Sequence, residues 1–471
     1  MEILLTTLSY FFWVALALSI LVFIHEMGHF LTARMFGMRV DAFSLGMPPN
    51  IFRKQWGETE YRIGALPLGG YVKIAGMIDE SMDMDGLESE PQPDEFRSKP
   101  VWQRMIVISA GVVFNVVLAV LIYSALAFAY GQTYTPAENV TVEVVEGSIA
   151  DDLGFETGDR VYAVDGEPVR TFEEFLPALI GNGAESITVK RDGGEATLAV
   201  PSGMMTRISR ASRASDEDSA LRLFGALPEF PALLGSVQSG SAAAEAGLRT
   251  GDRILSIDGQ PVRKWMDLTA LVAQTEGEAT PIRWARPLEN VAAGDPEPLR
   301  RTEGAAIYEA EIAPRANGDG YVLGVVNDQN AFGTVTETLG FGASLQAGAD
   351  QTATILNTYV GFIGKLFTGQ ESFKENVGGP IEIARQSKQM ADRGWPEFWG
   401  FVAFLSIALA VFNILPIPAL DGGHIMFLIY EAIARREPSL KVRMVVQQVG
   451  LALILALMVF VIFNDTLRLF G

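Results

Sequence analysis

The chain has 471 residues, of which 49% are hydrophobic and 20% charged, with a formal net charge of −20. A composition this apolar that still carries this much charge points to membrane spans joined to soluble domains. The acidic balance excludes a nucleic-acid partner, which needs a basic face, and the absence of cysteine excludes disulfides and thiolate-held metals.

The first long apolar run, Leu8 to about Phe30, reads LSYFFWVALALSILVFIHEMGHF. Only Glu2 precedes it, with no basic segment and no small-residue cleavage site, so residues 1–34 are expected to form a membrane span and not a signal peptide. Two of the three histidines in the chain, His25 and His29, lie near the end of this run. At i and i+4 a helix carries both rings on one face, where they can bind one metal ion. Glu26, beside them, can take a proton from an attacking water, as in other HExxH hydrolases. The bland alternative is a polar helix end with two solvated histidines. Ionisable groups inside a span are costly and mark function, which favours the metal site.

Residues 43–77 alternate apolar and polar residues between Gly/Pro turns, so a β-hairpin region is expected over 40–80. A second span follows over 104–131, containing Gly111-Val-Val-Phe-Asn115. An asparagine there can serve as an interhelical hydrogen-bonding group.

The long polar region contains an internal repeat. VVEGSIADDLGFETGDRVYAVDGEPVR at 144–170 recurs as VQSGSAAAEAGLRTGDRILSIDGQPVR at 237–263. Short apolar strands, a short Ala-rich helical turn and Asp-Gly turns resemble PDZ domains, expected near 138–203 and 222–315 as α+β folds. The Arg/Ser-rich stretch 207–214 reads as a linker, and 286–305 as an inserted loop. Such domains capture chain ends or extended peptides in a groove. Residues 339–392 show helical periodicity suited to an amphipathic helical segment lying against the membrane surface or against the repeated domains.

A third span is expected over 396–424, ending in NILPIPALDGGHIMF at 413–427. Pro416 and Pro418 break the helix, and irregular backbone at membrane depth is tolerated only inside protein or beside water. A catalytic zinc needs a third protein ligand and an open position. Asp421 and His424 are the candidates here. The fourth span is expected over 446–466. Arg34, Arg39, Arg53, Lys54, Lys99 and Arg104 lie between spans one and two, and Arg435, Arg436, Lys441 and Arg443 between three and four. By the positive-inside rule both connections are cytoplasmic, while the termini and the repeat region are outside. His25, His29 and Asp421 then converge at one depth near the cytoplasmic side.

HEMGH in the first span, NILPIPALDGG before the fourth and the tandem repeat between them resemble the intramembrane site-2 zinc metalloproteases, most closely the bacterial RseP type, over nearly the whole chain. The resemblance selects Asp421 as third zinc ligand and implies substrate contacts for Asn413. It implies the same for Asn115, although Val112 stands where the family motif has proline. It also implies that LPLGGYVKIAGM at 66–77, with Gly69, Gly70 and Tyr71, is a membrane-associated edge that binds an extended substrate by strand addition. The expected protein is an α-helical membrane protein of four transmembrane helices, with the hairpin region and two extracytoplasmic PDZ domains. It would be a multi-pass zinc endopeptidase of the bacterial inner membrane that cuts single-span membrane proteins, such as a pre-trimmed anti-sigma factor in envelope stress signalling, and clears signal peptides. Its partners would be transmembrane substrates, the lipid bilayer and chain ends at the PDZ domains. A PDZ scaffold with a structural HEMGH, and a zinc transporter, are the competing classes. The retained Glu26 disfavours the first, and a single HExxH with one aspartate disfavours the second.

Overall fold

The computed structural model describes residues 2–77, 90–181, 184–191, 194–201, 224–292, 295–317, 320–328, 330–368 and 379–470. The expected linker at 207–214 lies outside them. Two compact units result, Met1–Gln132 with Thr338–Gly471, and Thr133–Glu337.

The first unit is built on helices. Helix α1 spans Glu2–Met35, α2 Val101–Tyr130, α3 Phe341–Thr368 and α4 Pro380–Arg393, followed by α5 Trp395–Ile414, α6 Asp421–Ala434 and α7 Leu440–Phe470. Four segments, Leu8–Met35, Val101–Tyr130, Trp395–Ile414 and Lys441–Thr466, are long and apolar enough to cross a membrane. Ahead of His25 the α1 segment is apolar on all sides, which suits hydrocarbon and not a soluble surface. Ala17 and Leu21 of α1 bury against Phe398 and Val402 of α5, and Trp13 stands edge-on to Phe398 at 5.0 Å. Ala119 of α2 packs on Ala403, Ile407 and Val411 of α5, with Ile355 and Leu356 of α3 added to the cluster. Small residues let α1 and α2 cross closely. A Cβ on Gly28 would lie 2.5 Å from the Ala110 carbonyl oxygen.

The expected hairpin region forms from strand β1, Val40–Trp56, and strand β2, Thr59–Ile74. Residues 42–45 of β1 meet both 60–63 and 70–73 of β2, and 52–56 pair with 59–63. The pair therefore folds over into a small sheet, in which 70–74 of β2 pair with 40–45 of β1. Phe43, Val72 and Ile74 seat this sheet on Ala33 of α1, Val107 and Ile108 of α2 and Leu428 of α6.

The third expected span does not run unbroken to 424. Helix α5 stops at Ile414 and a new helix starts at Asp421. Pro416 and Pro418 supply no N–H and clash with the preceding turn, so the helix cannot continue through them. Ala419 takes a positive φ of 77°, and Gly422 lies so near the Leu415 carbonyl that no side chain fits. The amphipathic segment is likewise divided between α3 and α4. Asp465 of α7, buried, accepts the N–H groups of Gly379 (3.0 Å), Ile381 (3.2 Å) and Glu382 (3.3 Å). It thereby caps the start of α4 from 83–86 residues away in sequence.

In the second unit, strands Arg160–Val164, Ser186–Arg191 and Gly194–Ala199 form a sheet with Glu167–Pro168. Strands Arg253–Ile257, Thr280–Pro287 and Ala305–Ile312 form its counterpart with Gln260–Pro261 and Arg300–Arg301. Asp159 and Asp252, from the two Gly-Asp-Arg sequences, are fully buried, each held by a bidentate arginine, Arg191 at 2.7 and 2.8 Å and Arg286 at 2.8 and 2.8 Å. The boundaries differ from the expected ones. Ala226–Pro228 pairs with Val142–Val144, and Phe224 packs edge-on against Phe155 and Phe175, so 224–228 belong to the first sheet's core. Val325–Asn327 pairs with Leu234–Val237, so the second half runs past 315.

Candidate active site

Helix α1 presents His25 and His29 on one face, as the four-residue spacing dictates. The turn between α5 and α6 brings Asp421 to the same point. His25 Nε2 lies 3.2 Å from Asp421 Oδ2, His29 Nε2 3.5 Å from that oxygen, and the two Nε2 atoms 3.3 Å apart. Bonds of about 2.0–2.1 Å in a tetrahedral site put ligand atoms roughly 3.3–3.4 Å apart, which is the spacing found. Asp421 Oδ2 is buried and satisfied by no hydrogen bond among the described residues. Three lone-pair atoms facing one point leave an electron-rich centre that fits a divalent cation. His424, the other candidate, lines the same pocket and meets Gln447 of α7 at 3.3 Å, but it is outside the three-residue cluster.

The imidazoles are oriented from behind by α2. His29 Nδ1–H donates to the Val107 carbonyl at 2.8 Å, which leaves Nε2 unprotonated and available to a metal. Asn115, fully buried, meets His25 Nδ1 through its amide at 3.2 Å, while its Oδ1 has no partner. Nitrogen and oxygen of an amide exchange by a half-turn. With Oδ1 toward the ring, the oxygen accepts from Nδ1–H, the orphaned acceptor is satisfied and His25 Nε2 also points its lone pair at the metal position. Asn115 therefore meets a ligand residue and not the pocket wall. Ser406 of α5 donates to the Asn115 carbonyl at 2.8 Å, fixing this part of α2. Asn413 Nδ2 lies 3.3 Å from His25 Nε2, which brings it to the metal-facing side.

Sequence reasoning missed Gly111. A Cβ there would lie 2.6 Å from His25 Cε1 and closer still to His29 Nε2. The signal for it is the glycine of Gly-Val-Val-Phe-Asn, one helical turn before Asn115.

Glu26, buried, and the strand Tyr71–Ile74 complete a pocket of about 50 Å³ in front of the three residues, enough for water. Gly70 presses on Glu26, since a Cβ at that position would meet Glu26 Cγ at 3.2 Å and Val22 Cγ1 at 2.7 Å. Gly69 neighbours the Met47 side chain. The Tyr71 hydroxyl accepts from Arg62 at 2.8 Å. A carboxylate, an orientated metal-ligand set and a strand edge around one wet pocket suit hydrolysis of an extended peptide.

Comparison with known proteins agrees. The model of peptidase family M50 matches residues 13–457. The regulator of sigma-E protease RseP of Escherichia coli is 32% identical over 461 residues, covering 96% of this chain and 97% of that protein. Protease RseP of Yersinia pestis is 31% identical over 466 residues, covering 96% and 97%. A Vibrio cholerae protein named as a zinc metalloprotease is 32% identical over 463 residues, again covering 96% and 97%.

Proposed function

The chain belongs to peptidase family M50, the site-2 proteases, and is a zinc metalloprotease; from that premise we propose that it cuts single-span membrane proteins within their apolar segment. The observation that carries this reading is the convergence of His25, His29 and Asp421 at metal-ligand spacing on helices apolar enough to lie in a bilayer. His25, His29 and Asp421 would hold the zinc. When bound, zinc polarises the scissile carbonyl and lowers the pKa of water. Glu26 takes the proton from the attacking water and delivers it to the leaving amine. Asn115 orients His25. Asn413 donates a hydrogen bond to the substrate beside the metal.

The 70–74 stretch, with Gly69, Gly70 and Tyr71, receives the substrate as an added strand. A helical substrate hides its carbonyls, so an extended conformation held by main-chain hydrogen bonds is a precondition for attack. The extended conformation of that stretch and its place on the pocket wall support this. Orientation follows from the basic connections: termini and the 133–337 unit outside, the site toward the cytoplasmic side of the inner membrane. The two halves of that unit act as PDZ domains on chain ends. In support, the second half has a groove of about 530 Å³ between helix Trp265–Gln274 and residues 321–326. By likeness to relatives named regulators of sigma-E protease, the substrate is a pre-trimmed anti-sigma factor in envelope stress signalling, and signal peptides are a second class.

The test is to incubate the full chain with a single-span model substrate in proteoliposomes and map the product ends by mass spectrometry. A cut inside the apolar span is expected. Cuts confined to exposed flanking segments would contradict the reading.

A further inference from the structure

Behind the turn that carries Asp421, α6 and α7 diverge and enclose a groove of about 610 Å³. It has the size that holds a small-molecule ligand, about 300–1,000 Å³. Its walls are Pro416, Pro418, Met426, Phe427, Val442 and Val446, and Arg436 stands among the polar residues that close one end. Glu437 is there too, but its charge is engaged by Arg443 at 2.6 Å and Arg104 at 3.5 Å. Arg436 has no ion pair among the described residues, and neither do its sequence neighbours Arg435 and Lys441. All three are exposed. The catalytic pocket and this groove are lined by different residues of the same turn: Ala419, Leu420 and Asp421 face the first, Pro416, Pro418 and Gly423 the second.

Two facts define an occupant. The outer faces of α6 and α7 beside the groove expose Ile429, Ile433, Val442, Val445 and Val449, and Lys441–Thr466 is long and apolar enough to cross a membrane, so the groove opens to the acyl region of a bilayer. An uncompensated cation at its polar end, Arg436, with Arg435 and Lys441 close by in sequence, matches an anionic headgroup, the kind enriched in the cytoplasmic leaflet. We propose that this groove binds one anionic phospholipid, with an acyl chain between α6 and α7 and the phosphate on Arg436, supported by Arg435 and Lys441. The lipid then packs directly against Pro416 and Pro418 and steadies the turn that presents Asp421. The leaflet assignment rests on the orientation proposed above; the lipid contact itself does not depend on proteolysis.

Binding is read on the purified full chain by native mass spectrometry, with phosphatidylglycerol and phosphatidylcholine of the same acyl chains as probes. Phosphatidylglycerol should be retained in preference. Arg436→Gln should weaken that retention about fivefold, the equivalent of ~1 kcal/mol for one cation near an anionic lipid. Val446→Trp, which fills the acyl groove and leaves every charge in place, should weaken it as well. Arg53→Gln, in the other basic connection, should leave it unchanged. Glycerol phosphate, a headgroup without chains, should fail to compete. Equal retention of the two lipids, or unchanged preference in both Arg436→Gln and Val446→Trp, would overturn the proposal. Full competition by glycerol phosphate or displacement by a substrate span would overturn it too. Because the readout is lipid retention, a failure of the protease reading would leave this result standing, and the reverse also holds.

Discussion

Gly111→Ala is the sharpest perturbation of the site that touches none of its chemistry. The added methyl would lie 2.6 Å from His25 Cε1, whereas real Cβ contacts essentially never fall under 3.0 Å, so something must move by at least 0.4 Å. The imidazoles cannot swing aside cheaply. His29 is tied to the Val107 carbonyl and His25 to the Asn115 side chain, both on the same helix as Gly111. If α2 retreats instead, it carries those anchors away from the rings. Metal bonds tolerate shifts of only about 0.2 Å, and loss of such supporting contacts costs roughly 10–100-fold in metal affinity. A displacement approaching 1 Å costs about 100-fold in rate. Zinc content by elemental mass spectrometry should therefore fall, and cleavage of a single-span model substrate should drop about 100-fold or more. Val113→Ala, on the exposed side of the same helix, should change neither. A Gly111→Ala protein with full zinc and wild-type turnover would refute the claim that α2 holds the ligands at this distance.

Other perturbations separate the parts of the account. Asn115→Ala should weaken zinc binding about 10–100-fold, and Asn115→Asp, which keeps an acceptor for His25 Nδ1–H, should recover part of it in a zinc-competition titration. Gly70→Ala should slow cleavage about tenfold or more with zinc content unchanged, because the new methyl displaces the strand from Glu26; a simultaneous loss of zinc would mean that the strand supports the ligands as well. Asp252→Ala removes the bidentate partner of the buried Arg286, which keeps Asp295 at 2.9 Å, and should destabilise the second half of the 133–337 unit by about 1–3 kcal/mol. The drop can be followed in the unfolding of the full chain by fluorescence of Trp284, which is buried and stacked on Tyr308 at 5.5 Å.

The parts legible in the sequence were those written in local spacing. His25 and His29 at one helical turn, the four apolar runs, the Gly/Pro-punctuated hairpin and the Gly-Asp-Arg repeat each follow from periodicity or turn chemistry. The break at Pro416 and Pro418 was legible too, but its consequence was not: α6 is a separate helix because the chain re-enters helical geometry at Asp421. What stayed hidden depends on partners far along the chain. Gly28 and Gly111 are ordinary span glycines until α1 and α2 are known to cross there. Asn115 reads equally as an interhelical contact or a substrate contact until His25 is seen against it. Asp465 caps a helix that begins 85 residues earlier, and Phe224 fills a core assembled from residues 155 and 175. No window of sequence contains both members of these pairs.

In the proposed mechanism Glu26 moves the proton at a zinc held by His25, His29 and Asp421. Glu26→Gln keeps the size of the side chain and removes its basicity. The full-length variant should retain zinc at the wild-type stoichiometry, bind the single-span substrate and fail to cut it, while Asp421→Ala should lose the metal. A Glu26→Gln protein that cleaves at the wild-type rate with zinc in place would contradict the account.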